Sequence, residues 1–347
     1  MRDSRLWPAA TAGAVLWGVV MLPAVPAAAE VVDSAVVIMY HRFGEGRYPS
    51  TNTTIPQLET HIRELASGRY TVWPLRRIVE AVRARQPLPE RTVGISIDDG
   101  FVSVYREAWP RLKKAGLPFT LFIASDYHAR PIAGYMTWDQ LKEMATDPLV
   151  EIGAHSASHP HMPDQSRDQV RAEIATSTAA FHEKLGRKPA LFAYPFGESS
   201  LAVEGIVREA GYSAAFGQHS GAFDSGSNVY YLPRFALNEH YGDAERFRMA
   251  LNALALPVAE VTPADPLVTA NNPPTFGFSL TRTVKGLERL SCFASHEGRV
   301  RVERLASSRI EVRFSKPFPK SRTRVNCTLP AGGGRWQWFG YQFYVPG

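Results

Sequence analysis

The chain of 347 residues contains only 2 cysteines. So few thiols exclude a disulfide-scaffold miniprotein and a zinc site built from four thiolates. Charged residues make up only 21%, and no long run carries a single sign, which excludes a charged tail or a coiled coil. Past residue 30, no apolar run approaches the ~20 residues needed to span a bilayer. Apolar side chains are abundant, at 45% of the residues, and 26 Gly and 26 Pro punctuate them. That composition supports a sizeable core and is too apolar for a disordered chain. At ~150 residues per domain, the length fits one large domain and one small one.

Arg2 and Arg5 precede an apolar run from Ala9 to Leu22, and Pro-Ala-Val-Pro-Ala-Ala-Ala-Glu follows it. A charged start, a short apolar core and small residues read as a signal peptide over residues 1–29, cleaved near Ala29. The expectation is an exported protein, periplasmic or secreted, with no transmembrane segment in the mature chain. Its compartment would permit disulfides.

From residue 30 to 261, apolar β-rich runs alternate with helical patterns. Strands are expected at Val36–Tyr40, Thr92–Ile97, Phe119–Ala124, Val150–Gly153, Leu191–Tyr194, Ser213–Phe216 and Tyr230–Phe235. Helices fall between them: 56–67 behind the cap Thr54, 75–85, 103–115, one opened by a Thr137/Gln140 capping box, 167–185, and 201–210. Such βαβα alternation makes parallel strands with helices outside, in a barrel or a doubly wound sheet. The pattern changes near residue 262. Residues 262–275 are rich in Pro, Ala and Asn and read as a linker. Residues 276–347 show short runs of period-2 alternation, which predict a small β-sandwich. In Trp336–Tyr344, alternation puts Trp336, Trp338, Gly340 and Gln342 on one face and Phe339, Tyr341 and Phe343 on the other. Cys292 and Cys327 both lie here, and in an oxidising compartment they are expected to pair. Residues 264–347 carry 13 Lys/Arg against 5 Asp/Glu, a net of +8, more than the +6 of the whole chain. The basic character therefore belongs to the second domain. With its aromatics, it suggests contact with an envelope or anionic polymer. Nucleic acid is a poor partner for an exported protein.

Three polar clusters follow strand ends, and in a β/α barrel strand ends form the catalytic face. Asp98-Asp99-Gly100 offers two carboxylates that can serve different partners, although an Asp-Gly turn alone would also account for it. His155-Ser-Ala-Ser-His159 brings two imidazoles together if the segment turns helically; His161 then sits at the rim. One carboxylate and two imidazoles make a three-ligand site for a divalent metal with open positions for water. Phe192-Ala-Tyr-Pro-Phe-Gly197 can form a groove wall, or simply end a core strand.

Asp-Asp-Gly, then His-x3-His, then a Tyr-Pro strand end resembles the polysaccharide deacetylases of carbohydrate esterase family 4, the NodB-homology family, over about residues 35–240. Tyr40-His41, Pro118-Phe-Thr-Leu-Phe-Ile, Met136-Thr-Trp-Asp and Leu232-Pro-Arg-Phe fit as well. Within the family, the sequence is similar to the poly-N-acetylglucosamine deacetylase branch. The resemblance implies a distorted (β/α) barrel of about seven strands. It assigns Asp98 as catalytic base and Asp99, His155 and His159 as ligands of a divalent metal, usually Zn2+. The implied reaction removes acetyl groups from an acetylated polysaccharide containing N-acetylglucosamine. An O-acetyl esterase on the same scaffold, or a carbohydrate-binding protein with a degenerate barrel, are the alternatives. The family's arginine in the third motif is absent here, so Arg234 is the expected partner of the base. For the general acid, His219 is the first choice, with His240 and His41 as alternatives, and His41 can also line the substrate groove. A backbone N–H at Tyr194 is expected at the oxyanion, since Pro195 has none.

Overall fold

The computed structural model describes residue 1 and residues 33–347, so the body of the expected signal peptide, residues 2–29, lies outside the described residues. Six parallel strands follow one another in chain order: Ala35–Tyr40, Thr92–Asp98, Phe119–Ile123, Val150–Ala154, Leu191–Ala193 and Ala214–Phe216. Their sequences are nearly continuous apolar runs, as strands covered on both faces require. In the first strand every residue is buried. Two short pairings close the curl. Leu232 bridges Phe216, and Phe235–Ala236 lies parallel to Ile38–Met39. The expected seven-strand distorted barrel forms, but Tyr230–Phe235 is not one continuous strand. Pro233 has no N–H to donate, so the ladder breaks there and the chain changes neighbours.

The helices begin where their caps predicted. Thr54, Thr137 and Ser166 each form a complete capping box, opening Ile55–Leu65, Trp138–Ala145 and Arg167–Leu185. The expected helix 103–115 is instead a π turn, Val104–Ala108, followed by Trp109–Lys114. Pro110 cannot donate to the preceding turn, and such a loss in mid-helix favours a bulge.

Eight strands make the second sheet, in the order Leu254–Ala255, Arg335–Val345, Ser321–Gly332, Ser291–Ala294, Gly298–Arg304, Arg309–Arg313, Phe276–Leu280 and Val258–Thr262. Its aromatic interior is built as alternation predicted. Phe276 packs on Tyr341 and Phe343 at 5.6 and 5.2 Å, and Phe278 packs on Phe339 at 5.0 Å. Burying each such ring contributes about 1.5–3 kcal/mol. The expected linker, residues 262–275, is tied down on several sides. Val258–Thr262 pairs with Phe276–Leu280, and the Val268 amide donates to Tyr344 O. The other face of the sheet meets the barrel. A Cβ at Gly340 would stand 1.8 Å from the Ser220 carbonyl oxygen, so only glycine permits this approach.

Cys292 and Cys327 face each other on neighbouring strands and form a disulfide that closes a separation of 35 residues. A loop of that length removes about 4 kcal/mol of unfolded-state entropy. Cys292→Ser or reductant should therefore lower the urea midpoint of the second sheet substantially. Urea titration with and without dithiothreitol checks this, and coincident curves would show that the bond contributes nothing.

Candidate active site

The site lies where the parallel strands end. Asp98 is the last residue of its strand and is fully buried. The Arg234 guanidinium donates to both its oxygens, Nη1 to Oδ1 at 2.7 Å and Nη2 to Oδ2 at 2.8 Å. Arg234 is itself fully buried, and its Nε donates to Gly217 O at 2.8 Å while Nη1 reaches Ser96 Oγ at 3.2 Å. Burial pushes the Asp98 carboxyl up, but the Arg234 charge, aided by His155, brings it down to about 2. Asp98 is thus a fixed, ionised acceptor.

Asp99 takes a left-handed φ of 73°, and Gly100 follows at 71°. This turn, rather than strand alternation, separates the two carboxylates. Asp99 Oδ1 lies 3.6 Å from His155 Nε2 and 3.5 Å from His159 Nε2. The two histidines converge without a helix. Ser156 and His159 have left-handed φ values of 65° and 60°. Such angles are costly for residues with a Cβ and persist only where the surroundings enforce them. Glu173, on helix Arg167–Leu185, enforces them here. Its carboxylate accepts from the amides of Ala157 and Ser158 at 3.1 and 2.9 Å and from Ser158 Oγ at 2.7 Å. The sequence signal for Glu173 was weak, because an acidic residue on an exposed helix looks like ordinary surface.

The three side chains suit a divalent cation. His155 Nδ1 donates to Ala193 O at 2.7 Å, which leaves the Nε2 lone pair free, and Nε2 is buried without a hydrogen-bond partner. A tetrahedral ion with bonds of 2.0–2.1 Å spaces its ligands by roughly 3.4 Å, close to the separations from Asp99. Burial holds His155 down to about 4 and His159 to about 3, so both are neutral donors near pH 7. Burial, and then the charge of Asp98, raise Asp99 to about 7. A carboxylate so short of compensation fits a site that receives a cation.

The remaining expected residues divide. His41 follows the first strand and lines the same groove as Asp99 and His159; burial lowers it to about 4. His219 is buried, but its ring lines a separate cavity with Glu204 and Tyr341. Its neighbours Gln218 and Ser220 line the groove instead. As the first choice of general acid, His219 is therefore corrected by its position. His240 is exposed on the turn beside Asn238. The Tyr194 expectation is corrected as well. Its amide donates to Phe216 O at 3.0 Å and its hydroxyl to Tyr230 O at 2.9 Å, so the residue is committed to the sheet. Phe196, one residue past Pro195, has a left-handed φ of 57° and lines the groove. His161 stacks on Phe196 at 4.3 Å and shares a 2.6 Å hydrogen bond with Glu198, at the rim as expected.

Residues 85–215 match the family model described as polysaccharide deacetylase. The chain is 26% identical over 199 residues to the Bacillus subtilis protein YxkH, named for a polysaccharide deacetylase. That match covers 57% of this chain and 69% of YxkH. It is 23% identical to the poly-β-1,6-N-acetyl-D-glucosamine N-deacetylase of Escherichia coli (strain K12), covering 57% of this chain but only 36% of that protein. The solved structure of IcaB from Ammonifex degensii superposes with a TM-score of 0.57 at 25% identity, over 63% of this chain and 97% of that one. The family match therefore places a polysaccharide deacetylase domain over residues 85–215. Proteins of this class are hydrolases that remove acetyl groups from polysaccharides.

Replacing Arg234 with Met should leave Asp98 buried and unpaired, at a cost of about 3–5 kcal/mol. Urea denaturation reads this, and a loss below 1 kcal/mol would place the pair in water. Asp99→Ala, His155→Ala and His159→Ala should each lose equimolar zinc on dialysis, measured by atomic absorption. Full zinc retention in all three would refute the ligand set.

Proposed function

We propose that the chain hydrolyses N-acetyl groups of an exported, N-acetylglucosamine-containing polysaccharide at this site. The observation that carries the reading is the pairing of two separated functions on adjacent residues. Asp98 is an ionised acceptor clamped by Arg234, and Asp99 faces two neutral imidazoles. A degenerate, purely binding barrel would have no reason to keep both. The name of the Escherichia coli relative supports the substrate class. The disulfide supports an oxidising compartment, and among the described residues no helix is long and apolar enough to cross a membrane. We assign residues 30–261 to the catalytic unit and 276–347 to the accessory one, with the strands Leu254–Ala255 and Val258–Thr262 joining the accessory sheet.

Asp99, His155 and His159 would hold the cation, for which Zn2+ suits one carboxylate and two imidazoles. When bound, it supplies Lewis acidity that makes water a better nucleophile and polarises the acetyl oxygen. Asp98 takes the proton from the attacking water, and Arg234 keeps its carboxylate oriented throughout. The oxygen of that water bonds to the acetyl carbon. The N–H of Phe196, a residue past the proline that lines the groove, replaces Tyr194 as the backbone donor to the developing oxyanion; one such donor is worth about 10²–10³ in rate. His41 is the histidine placed to serve the leaving amine. Its depressed pKa makes it neutral at rest, so the proton it delivers to the amine is the one that Asp98 took from the water and passed on to it. The carbon–nitrogen bond then breaks, giving acetate and a free amine.

Acetate release from N-acetylglucosamine oligomers should stop with a chelator and return with Zn2+. Asp98→Asn should keep zinc but lose about 10²–10⁴ in turnover, the usual weight of a general base. Near-normal turnover in Asp98→Asn would transfer the base to another residue. Acetate released only from acetylated xylan would make the chain an O-acetyl esterase.

A further inference from the structure

We propose that the second sheet is a wall of the substrate groove, and that Arg324 on it selects acetylated polysaccharides bearing acidic groups. This rests on the deacetylase reading above and names the polymer class it would act on.

One groove of about 850 Å³ holds Asp99 and His159 from the barrel together with Arg322, Arg324, Trp336 and Trp338 from the sheet. Strand alternation explains the sheet's contribution. In Ser321–Gly332, the odd-numbered Thr323, Val325, Cys327 and Leu329 are buried in the sandwich interior. The even-numbered Arg322, Arg324, Asn326 and Thr328 face the groove. The sheet is therefore no remote tether, because its outward face completes the cleft in which the chemistry sits.

The two arginines have different occupations. Arg322 is committed to structure: Nη1 donates to Phe196 O at 3.1 Å, and Nε lies 3.6 Å from Glu198. Arg324 makes one side-chain bond, Nε to Gln342 Oε1 at 3.0 Å, and among the described residues no carboxylate pairs with it. Burial, and then the charge of Arg322, lower its pKa, while Glu198 opposes this from beyond ion-pair distance. Across the groove, Arg246 lies over the Tyr241 ring at 4.6 Å and likewise has no ion pair among the described residues. The one carboxylate lining the groove, Asp99, belongs to the cation site. Away from the reacting centre the cleft is thus positive. A guanidinium with free Nη groups in a half-buried wall is suited to a carboxylate or phosphate, which it can meet with two parallel hydrogen bonds. Phe293, Trp336 and Tyr241, exposed by 42%, 36% and 51%, line the same groove. Their faces can stack on sugar rings of the same polymer. A neutral polymer would use the aromatics and leave Arg324 uncompensated.

The test compares a neutral hexamer of N-acetylglucosamine with a hyaluronan hexasaccharide, in which N-acetylglucosamine alternates with glucuronate. Binding to the metal-free full chain is followed by tryptophan fluorescence, and acetate release by the zinc-loaded enzyme is followed in parallel. The acidic oligomer should bind on the order of 10-fold more tightly, as expected of a hydrogen-bonded charge pair, and the advantage should shrink with salt. Arg324→Gln should erase the advantage and leave binding of the neutral oligomer within about 2-fold. Arg324→Lys should retain part of it, and Trp336→Ala, at an exposed position, should weaken both oligomers alike. Equal affinities in the wild type, no binding of either oligomer, or an advantage that survives Arg324→Gln would each overturn the inference. Absence of acetate from both oligomers would overturn the deacetylase reading instead, while the binding preference would still be measured.

Discussion

The buried pair of Asp98 and Arg234 is the constraint on which the rest of the site depends. Each ion taken alone from water costs several kcal/mol, and only good geometry offsets that cost. Here both carboxylate oxygens and three guanidinium nitrogens find partners. The partners come from three places: Ser96 and Asp98 on one central strand, Gly217 after the sixth, and Arg234 on the closing segment. Phe122 and Phe216 flank the guanidinium at 5.4 and 6.0 Å. Closing the barrel and fixing the acceptor are therefore one event. If the segment 232–236 moved from its place between the last strand and the first, Asp98 would lose the buried counter-charge of Arg234 at the same time.

Two adjacent carboxylates can take different roles only if the backbone separates them. The left-handed turn at Asp99 provides the separation, and it belongs to a wider pattern. Asp99, Ser156, His159 and Phe196 all have positive φ and follow strand ends, and Asp99, His159 and Phe196 line one groove. Such conformations are stored where surrounding contacts over-determine them. Glu173 bonded to two amides, His155 bonded to Ala193 O and the chain reversal after Pro195 are those contacts. The outcome for charge is equally specific. Asp98 has lost its affinity for protons while its neighbour has gained it. Opposite shifts on neighbouring acids are the sign of environments that assign separate tasks.

Much of this was legible in the sequence, and the reasons differ by element. The barrel strands were readable because burial on both faces leaves continuous apolar runs, and two of the helices because Thr54 and Thr137 write their caps into the text. Asp98, Asp99, His155 and His159 were readable because few folds place such types after successive strands, and Arg234 because the base needed a partner that the third cluster lacks. The errors share a cause, which is direction. Sequence shows that His219 is near a late strand end but not that its two neighbours face the groove and it does not. It shows that Pro195 lacks an N–H but not that the Tyr194 amide is already spent on Phe216. Glu173 acts across a gap of 14 residues through main-chain amides, a relation that no local pattern records.

The same limit hid the part played by residues 276–347. Their basic charge and aromatic content were plain, and read alone they describe a module that could hold a polymer at a distance. Contact changes that meaning. Gly340 lets the strand Arg335–Val345 come against Ser220, next to the groove-lining stretch, as no residue with a Cβ could. Gln342 then donates to Gly197 O at 2.8 Å, and Tyr231 donates to Gln342 O at 3.1 Å. These bonds join the sheet to the loop that carries Phe196 and to the segment that carries Arg234. A second domain merely tethered to an enzyme would have no need to approach the catalytic loop at backbone distance. Gln342 and Arg322 both donate to the carbonyl of Phe196, so the geometry of that side of the cleft is shared between the barrel and the sheet. The charge of Arg322 and Arg324 on the sheet is then part of the same cleft as Asp99.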